Sequence, residues 1–132
     1  ERIAAKHGFS LSGKCKSSEY LKRMRASKLC LSPLGLGESC FRDMESQTQG
    51  AILVKPDMSH LETWPDIYEP NHTYFPVKWD WTDLEETVVK ILDNYKDHRD
   101  MVVYSYNVIK RVWDNEVFAL KFDSIIKSLN LK

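Results

Sequence analysis

The sequence is poor in the residues that build cross-linked, fibrous or membrane-spanning proteins. It has three cysteines, five glycines and five prolines among 132 residues, and no apolar run approaches the roughly 18–20 residues that cross a bilayer. These shortages exclude a disulfide scaffold, a collagen-like repeat and a transmembrane helix. No signal peptide is visible, so the expected location is cytoplasmic.

The cysteines follow no recognisable pattern. The chain has an odd number of cysteines, namely Cys15, Cys30 and Cys40. Their spacing matches no zinc-binding pattern such as C-x-x-C. We therefore expect reduced thiols, with Cys30 packed in the core because it lies in an apolar run.

Charge is balanced overall but unevenly distributed, with 19 basic and 19 acidic side chains. Residues 1–28 contain only Glu1 and Glu19 as acidic side chains, whereas their basic side chains are Arg2, Lys6, Lys14, Lys16, Lys22, Arg23, Arg25 and Lys28. Two interpretations of this segment stay open, a solvated helix face or a peripheral contact with an anionic membrane. No aromatic residues alternate with the basic ones as in a base-stacking surface, so no nucleic-acid partner is expected.

The patterning predicts alternating helices and strands in a single domain, residues 1–132. Before residue 80 the predicted elements are a helix capped by Ser17 or Ser18 and reaching about residue 27, a strand at 28–33, a helix from Glu38 or Ser39 to just before Gly50, a strand at 51–55, a short helix at 61–64 and a strand at 73–79. In the second helix Phe41 and Met44 are expected to face the core. Pro76 places the last strand near an edge, because proline cannot donate to a ladder.

Helices dominate the remaining residues. Thr82-x-x-Glu85 has the capping-box pattern, and the following helix has one apolar face made of Leu84, Val88, Ile91, Leu92 and Tyr95. Further helices are predicted over about residues 98–130, the last with an apolar face of Phe118, Phe122, Ile125, Ile126 and Leu129. This order is typical of an α/β fold: a doubly wound, Rossmann-like, mostly parallel sheet flanked by helices, with a helical C-terminus.

A glycine turn (residues 34–37) follows the first predicted strand and precedes a helix. Backbone N–H groups and the positive end of the helix dipole would then lie at the carboxyl edge of the sheet, where open α/β sheets bind ligands. Gly35 and Gly37 would let a diphosphate approach the backbone without a Cβ in the way. The pattern lacks the third glycine of the dinucleotide motif and the Lys-Ser/Thr of a P-loop.

Arg42 and Glu45 lie three residues apart on the helix after this turn. A guanidinium can bind phosphate oxygens bidentately, and a carboxylate one turn further can accept hydrogen bonds from a ribose diol. The pair therefore suits a nucleoside diphosphate, and the alternative is a surface ion pair worth a few tenths of a kcal/mol.

Four segments in order resemble the C-terminal domain of GT-B glycosyltransferases, and the resemblance covers about residues 17–95. They are a helix with Tyr20-Leu, Met24 and Ser27-Lys; Ser32-Pro-x-Gly-x-Gly-Glu-x-x-x-Arg-x-x-Glu45; Gly50-Ala-Ile-Leu-Val-Lys-Pro-Asp57; and Tyr74-Phe-Pro-Val-Lys-Trp-Asp-Trp-Thr-Asp-Leu84. The resemblance implies a domain that binds a nucleotide-diphosphate sugar, most often linked to UDP or GDP. The donor-binding set is then Gly35, Gly37, Glu38, Ser39, Arg42 and Glu45.

Within that resemblance Glu45 matches the glutamate that binds the donor ribose, and Arg42 an arginine used against the diphosphate. Glu38 lies near the first glutamate of the paired motif of retaining enzymes, but the spacing to Glu45 is seven rather than eight, which leaves retention or inversion open. Ser46 replaces the alanine that often follows the second glutamate. The family implies no metal or other cofactor, and no Asp-x-Asp metal motif is evident.

The resemblance also implies a partner domain, N-terminal to this one, that binds a glycan or other acceptor and supplies the catalytic base. No catalytic residue is therefore assigned here. His60 is a candidate donor contact, with a hydrogen-bonded loop histidine as the alternative. Trp64, Trp79 and Trp81 either pack a loop or form a sugar-stacking platform.

Two other functional classes compete with the transferase. One is a non-catalytic Rossmann-like module for nucleotide binding or protein interaction. The other is a receiver-like regulator, which would need an acidic cluster after the first strand that this sequence lacks.

Overall fold

The computed structural model describes residues 2–8, 15–64 and 66–129. Its α-helices are α1 (Arg2–His7), α2 (Ser17–Arg25), α3 (Phe41–Gln49), α4 (Leu84–Asp93), α5 (Arg99–Val112) and α6 (Asn115–Ser128), with a 3₁₀ helix at Tyr95–His98. The strands are β1 (Leu29–Leu31), β2 (Ile52–Pro56) and β3 (Tyr74–Val77). Lys14 of the basic segment and residue 130 of the predicted C-terminal helices lie outside the described residues.

The described strands form one parallel sheet in the order β1-β2-β3. Leu29 pairs with Ile52 in the first ladder and Leu53 pairs with Tyr74 in the second. The three predicted strands are therefore confirmed, and β3 with Pro76 lies at an edge of this sheet as expected. The predicted α/β class is also confirmed, as a small open parallel sheet with helices.

Apolar side chains cover both faces of the sheet. Alternate residues of β2 point to opposite faces because side chains along a strand alternate. Ile52 and Val54 pack with Val88 and Ile91 of α4, whereas Leu53 packs with Ile109 of α5. The stripe predicted for α4 is thus confirmed: Leu84, Val88 and Ile91 are buried, and Leu92 and Tyr95 pack against them.

Two helix starts differ from the prediction. Helix α2 begins at Ser17 itself, after Lys16 as N-cap, and no side chain caps it. Helix α3 begins at Phe41 and not at Glu38 or Ser39, because Cys40 and Asp43 form a capping box there. Phe41 is consequently 75% exposed, and Asp43 takes the inward position instead. The predicted end is correct, since Gly50 adopts the left-handed conformation with φ 80°.

Two further local predictions are wrong. Residues 61–64 form no helix. Thr82 does not cap α4: its N–H and hydroxyl donate to the Asp80 carboxylate at 3.1 and 2.8 Å. Asp83 is the N-cap residue, and its own carboxylate accepts from the Lys78 N–H at 2.9 Å. Short polar side chains thus stabilise the turn before α4 and not the first turn of the helix.

Helix α6 is amphipathic, and most of its apolar side chains are exposed to solvent. Its predicted apolar face, which we call the α6 stripe, consists of Phe118, Phe122, Ile125, Ile126 and Leu129 just past its end. Among the described residues α6 packs mainly on α5, with Trp64 against Phe118 at a ring distance of 5.3 Å. No helix in residues 2–8, 15–64 and 66–129 combines the length and apolarity needed to span a membrane.

Candidate ligand site at the carboxyl edge of the sheet

Three loops meet at the carboxyl edge of the sheet. They follow β1, β2 and β3 and begin at Ser32, Asp57 and Lys78. Because the strands are parallel and adjacent, these loops lie side by side, about 4.8 Å apart from strand to strand. This is the edge at which open α/β sheets bind ligands.

A buried ion pair lies beneath the first of these loops. Lys55 of β2 and Asp43 of α3 are both fully buried, and Lys55 Nζ lies 2.6 Å from Asp43 Oδ2. The Lys55 ammonium also donates to the Glu38 carbonyl at 2.5 Å and lies 5.0 Å from the centre of the Tyr68 ring. Lys55 therefore ties the loop before α3 to the centre of the sheet.

Asp43 accepts hydrogen bonds from several directions. Its donors are Lys55, the Ser32 hydroxyl, the Tyr68 hydroxyl at 2.6 Å and the Cys40 N–H at 3.2 Å. Burial alone would raise the pKa of Asp43, but the hydrogen bonds from Lys55, Ser32 and Tyr68 outweigh it, so the pKa lies below its usual value. The carboxylate is thus charged and its charge is neutralised by Lys55.

Tyr68 extends this network towards the surface. Its hydroxyl lies 2.7 Å from the Ser39 hydroxyl, which is on an exposed residue of the loop. Burial, followed by the hydrogen bond to Asp43, raises the pKa of Tyr68 well above its usual range. A neutral phenol at this position keeps its proton and holds Ser39 at the edge of the site.

The glycine turn is exposed. Gly35 donates its N–H to the Gly37 carbonyl at 3.1 Å, and Leu36 between them is fully exposed. Neither glycine has a positive φ, and a Cβ on Gly35 or Gly37 would meet its nearest atom at 3.8 or 4.0 Å. The backbone conformation does not require glycine at these two positions. Their missing side chains leave the main chain of the turn open to an approaching ligand.

Arg42 and Glu45 both lie on α3, but their side chains form hydrogen bonds with different parts of the structure. Arg42 Nε donates to the Ser32 hydroxyl at 3.0 Å and its terminal nitrogen donates to the Pro33 carbonyl at 2.6 Å. Glu45 accepts from the Tyr20 hydroxyl at 3.1 Å. The alternative interpretation of a surface ion pair is not realised, since the ion pairs among the described residues do not include Arg42 with Glu45.

A groove of about 810 Å³, which we call the β1 groove, runs along the outer side of β1. Its lining includes Arg42 and Pro33 at the carboxyl end, Tyr20 and Arg23 of α2, and Trp81 from the loop after β3. The described lining contains basic side chains (His7, Arg23, Lys28 and Arg42) and no acidic one. Its size lies in the range of small-molecule sites. Arg23 is paired with Glu19 and His7 with Glu85, so Lys28 and Arg42 are the lining side chains that favour an anion.

Trp81 in this groove has a strained backbone. Its φ is 61°, in the left-handed region that an aromatic residue rarely adopts. The side chain is half-buried against the core cluster that contains α4. Packing of the Trp81 side chain therefore maintains a backbone conformation that is otherwise unfavourable, and it fixes the aromatic ring at the groove.

His60, Glu38 and Trp79 form a second cluster at the same edge, the edge cluster. His60 Nε2 lies 3.3 Å from Glu38 Oε2, and the rings of His60 and Trp79 are 5.3 Å apart in an edge arrangement. Trp79 Nε1 donates to the Asp57 carbonyl at 3.0 Å. Each of the three loops supplies one member.

The three cysteines are separate from one another in the fold and form no disulfide. All three are free thiols, and burial raises the pKa of Cys30 to about 11. Cys30 is half-buried, less than the core position expected, and Cys40 is the N-cap of α3. No group of three or more His, Cys, Asp or Glu side chains suited to a metal occurs in the described part of the chain.

The structure brings together Glu38, Ser39, Arg42 and His60 with the glycine turn, whereas Glu45 lies one turn further along α3 towards Tyr20. Sequence reasoning did not identify Asp43, Lys55 or Tyr68. A lysine inside the apolar run of residues 51–55 was the available signal, because a buried lysine requires an acidic partner nearby.

Comparison with known proteins gave no relationship: no family model, no curated protein and no solved structure matches this chain.

Proposed function

We propose that this chain is the donor-binding domain of a metal-independent GT-B glycosyltransferase, with a doubly wound, Rossmann-like sheet. The observation that carries the proposal is the exposed glycine turn at the carboxyl edge of a parallel sheet, directly beside a basic groove of about 810 Å³. The ordered sequence resemblance supplies the class of ligand, a nucleotide-diphosphate sugar.

The diphosphate would bind between the glycine turn and Arg42. The N-terminus of α3 carries partial positive charge, which favours an anion. Asp43 in the first turn of this helix would oppose that effect, but its charge is neutralised by Lys55 at 2.6 Å. Arg42 uses two of its nitrogens on Ser32 and Pro33, and a guanidinium has five N–H donors, so donors are left for phosphate.

The nucleoside would occupy the β1 groove. Tyr20 and Trp81 offer aromatic surface there for a base. Glu45 accepts from Tyr20, and a carboxylate has about four lone-pair sites, so it can also accept from a ribose diol. The donor would then extend from the groove, past Arg42, to the loops after β2 and β3.

The chemical step in this proposal needs an acceptor and a base from a second domain. The described residues would hold the leaving nucleotide, and neutralisation of its charge by Arg42 and the α3 N-terminus would favour departure of the diphosphate. The glycan or other acceptor, and the choice between retention and inversion, belong to the partner domain.

Calorimetric titration of the full chain with UDP, GDP and ADP tests the proposal. We expect one of the three to bind in the micromolar to millimolar range, and Arg42→Ala or Glu45→Ala to weaken it about 10–100-fold, because each removes a charge-assisted hydrogen bond. Arg25→Ala and Glu116→Ala are matched controls on exposed residues that do not line the groove, with Arg25 bonded to Gln49 and Glu116 on α6. Circular dichroism checks that every variant is folded.

Two results would contradict the proposal. If none of the three nucleotides binds the folded wild-type chain, the donor-binding function is wrong. If a nucleotide binds but the Arg42 and Glu45 variants bind it as well as the controls do, the nucleotide lies elsewhere on the molecule.

A non-catalytic interaction module is the alternative function, and the exposed α6 stripe favours it. The two functions differ in turnover. With the acceptor-binding domain and an acceptor present, a transferase transfers the sugar of its nucleotide sugar, whereas a module leaves the nucleotide sugar intact.

A further inference from the structure

We propose that the α6 stripe is the interface of a weak homodimer, in which two copies of α6 cross about a two-fold axis at Phe122. This inference does not depend on the proposed function, because the stripe shares no residue with the proposed nucleotide site. It assigns a second copy of this chain to an apolar face that is exposed in the single chain.

Helix α6 needs more packing than its own chain provides. It has 14 residues, a length at which an isolated helix is only marginally stable in water. Within the described part of the chain it packs mainly on α5, and Ile125 is the one described side chain of α6 that is half-buried. A contact that covers the stripe would therefore stabilise the helix and bury apolar surface at the same time.

The stripe has the geometry of a surface at which helices cross. Phe118, Phe122 and Ile126 are spaced four residues apart, so they form a single ridge along α6. Ridges with this spacing interdigitate when two helices cross at about −50°, which is the commonest class of helix packing. Phe122 is the middle residue of the ridge, so it lies at the crossing point of a symmetric pair.

The aromatic side chains of the stripe are ordered in the single chain. The rings of Phe118 and Phe122 stack, with centroids 6.1 Å apart and planes 7° from parallel. The Trp64 ring packs on Phe118 from the other side of the chain sequence, at 5.3 Å. Side chains that are already ordered lose little conformational entropy on association, which favours binding.

The exposed area of the stripe fits a weak dimer. Phe118, Phe122, Ile126 and Leu129 are between 41% and 57% exposed, and Trp64 is 41% exposed. Since one aromatic side chain offers about 150–250 Å², these five present roughly 500 Å² of apolar surface per chain. Two copies would bury roughly 1,000 Å², the lower limit for a specific interface and too little for an obligate dimer.

The charges of α6 favour a copy of the same chain over an anionic membrane. The stripe itself contains no charged residue, and α6 carries Glu116 and Asp123 against Lys121 and Lys127. The whole chain is also neutral, with 19 basic and 19 acidic side chains. Neutral proteins do not repel their own copies, whereas a helix that lies on an anionic bilayer requires an excess of lysine or arginine.

Sedimentation equilibrium of the full chain, from about 10 µM to about 1 mM, tests the proposal. We expect a monomer–dimer equilibrium with a Kd of about 100 µM, so the stripe stays exposed in dilute solution. Phe122→Glu and Phe122→Lys should each raise the Kd at least about tenfold, because like charges would face each other across the two-fold axis.

Leu120→Glu and Leu120→Lys are the matched controls. Leu120 is 72% exposed and lies two positions from Phe122, which is about 200° around the helix and so on its opposite side. These variants should leave the Kd within about twofold of the wild-type value. Circular dichroism checks that all four variants are folded.

A mixture of variants identifies the occupant of the stripe. Equimolar Phe122→Glu and Phe122→Lys chains should associate at least as tightly as wild type, because opposite charges then meet at the axis. Only contact between two copies at this residue produces that recovery.

Four results would overturn the dimer. They are a wild-type chain that stays monomeric at about 1 mM, a dimer that the Phe122 variants weaken no more than the Leu120 variants do, a mixture of the Phe122 variants that stays monomeric, and a monomeric wild-type chain that cosediments with phosphatidylcholine vesicles. The last result would assign the stripe to a lipid surface instead.

Discussion

Asp43 and Lys55 neutralise each other in an interior that would not tolerate either charge alone. Both are fully buried, 2.6 Å apart, and each has further hydrogen-bond partners. Removing one partner from a buried pair costs far more than removing both, because it leaves an uncompensated charge. The pair therefore stabilises the loop that carries Glu38 and Ser39 only as long as it is complete.

A double-mutant cycle measures this coupling. We expect Lys55→Met to lower the free energy of unfolding by about 3–5 kcal/mol, and the double variant Asp43→Asn/Lys55→Met to cost clearly less than the sum of the single variants. Lys127→Met is the control, since its partner Asp123 is as close, at 2.6 Å, but the pair is exposed and contributes at most about 1 kcal/mol. Additive losses in urea denaturation would contradict the coupling.

The same carboxylate gives the protein a pH-dependent stability. The pKa of Asp43 in the folded chain lies below its ordinary value of 3.8. The unfolded chain therefore binds more protons in that interval, so this contribution is complete above the ordinary pKa and is lost as the pH falls through the folded one. Urea denaturation from about pH 6 to about pH 2.5 should show stability falling below about pH 4.

Asp43→Asn should show a shallower fall than wild type over this range. The comparison is needed because hydrogen bonds from Ser59 and Thr82 also lower the pKa values of Asp57 and Asp80. An unchanged slope in Asp43→Asn would mean that these surface carboxylates, and not the buried pair, set the acid sensitivity.

At the scale of single elements, β2 and α6 lie at opposite extremes of burial. All five residues of β2 are buried, whereas the described side chains of α6 are exposed except Ile125, which is half-buried. Local opening is easiest where few apolar contacts must be broken. Helix α6 should therefore open in fluctuations that leave the sheet intact.

Native-state hydrogen exchange measures this difference directly. Amides of β2 should exchange only on global unfolding, at least about 100-fold more slowly than those of α6. Helix α4 provides an internal reference, since it has the same kind of local hydrogen bonds but buries Leu84, Val88 and Ile91. Equal protection of α6 and α4 would show that α6 is covered in solution.

Periodicity predicted the elements well and their ends poorly. The α4 stripe and the three strands follow from residue spacing, which depends only on which side of an element faces the core. Helix starts depend on which side chain reaches which N–H. Helix α3 begins at Phe41 because Asp43 caps it there, and Thr82 does not cap α4 because its hydroxyl donates to Asp80. A hydrophobic pattern predicts neither hydrogen bond.

For the molecule as a whole, the order of the predicted elements placed the candidate site relative to the sheet but did not predict which side chains meet there. A strand, a glycine turn and a helix were enough to predict at which edge of the sheet the glycine turn lies, because parallel strands end together. The edge cluster joins residues 38, 60 and 79, and the buried pair joins residues 43 and 55. Such contacts depend on the loop paths between strands, which no local pattern encodes.

The α6 stripe makes the molecule a weak amphiphile. Phe118, Phe122, Ile126 and Leu129 are exposed together at one end, while the two faces of the sheet bury their own apolar residues. An air–water boundary, like any apolar surface, takes up such a patch by the same hydrophobic effect that folds the core. In a thin vitrified film the particles would therefore adsorb with α6 towards the air, and a mild detergent would restore random orientations.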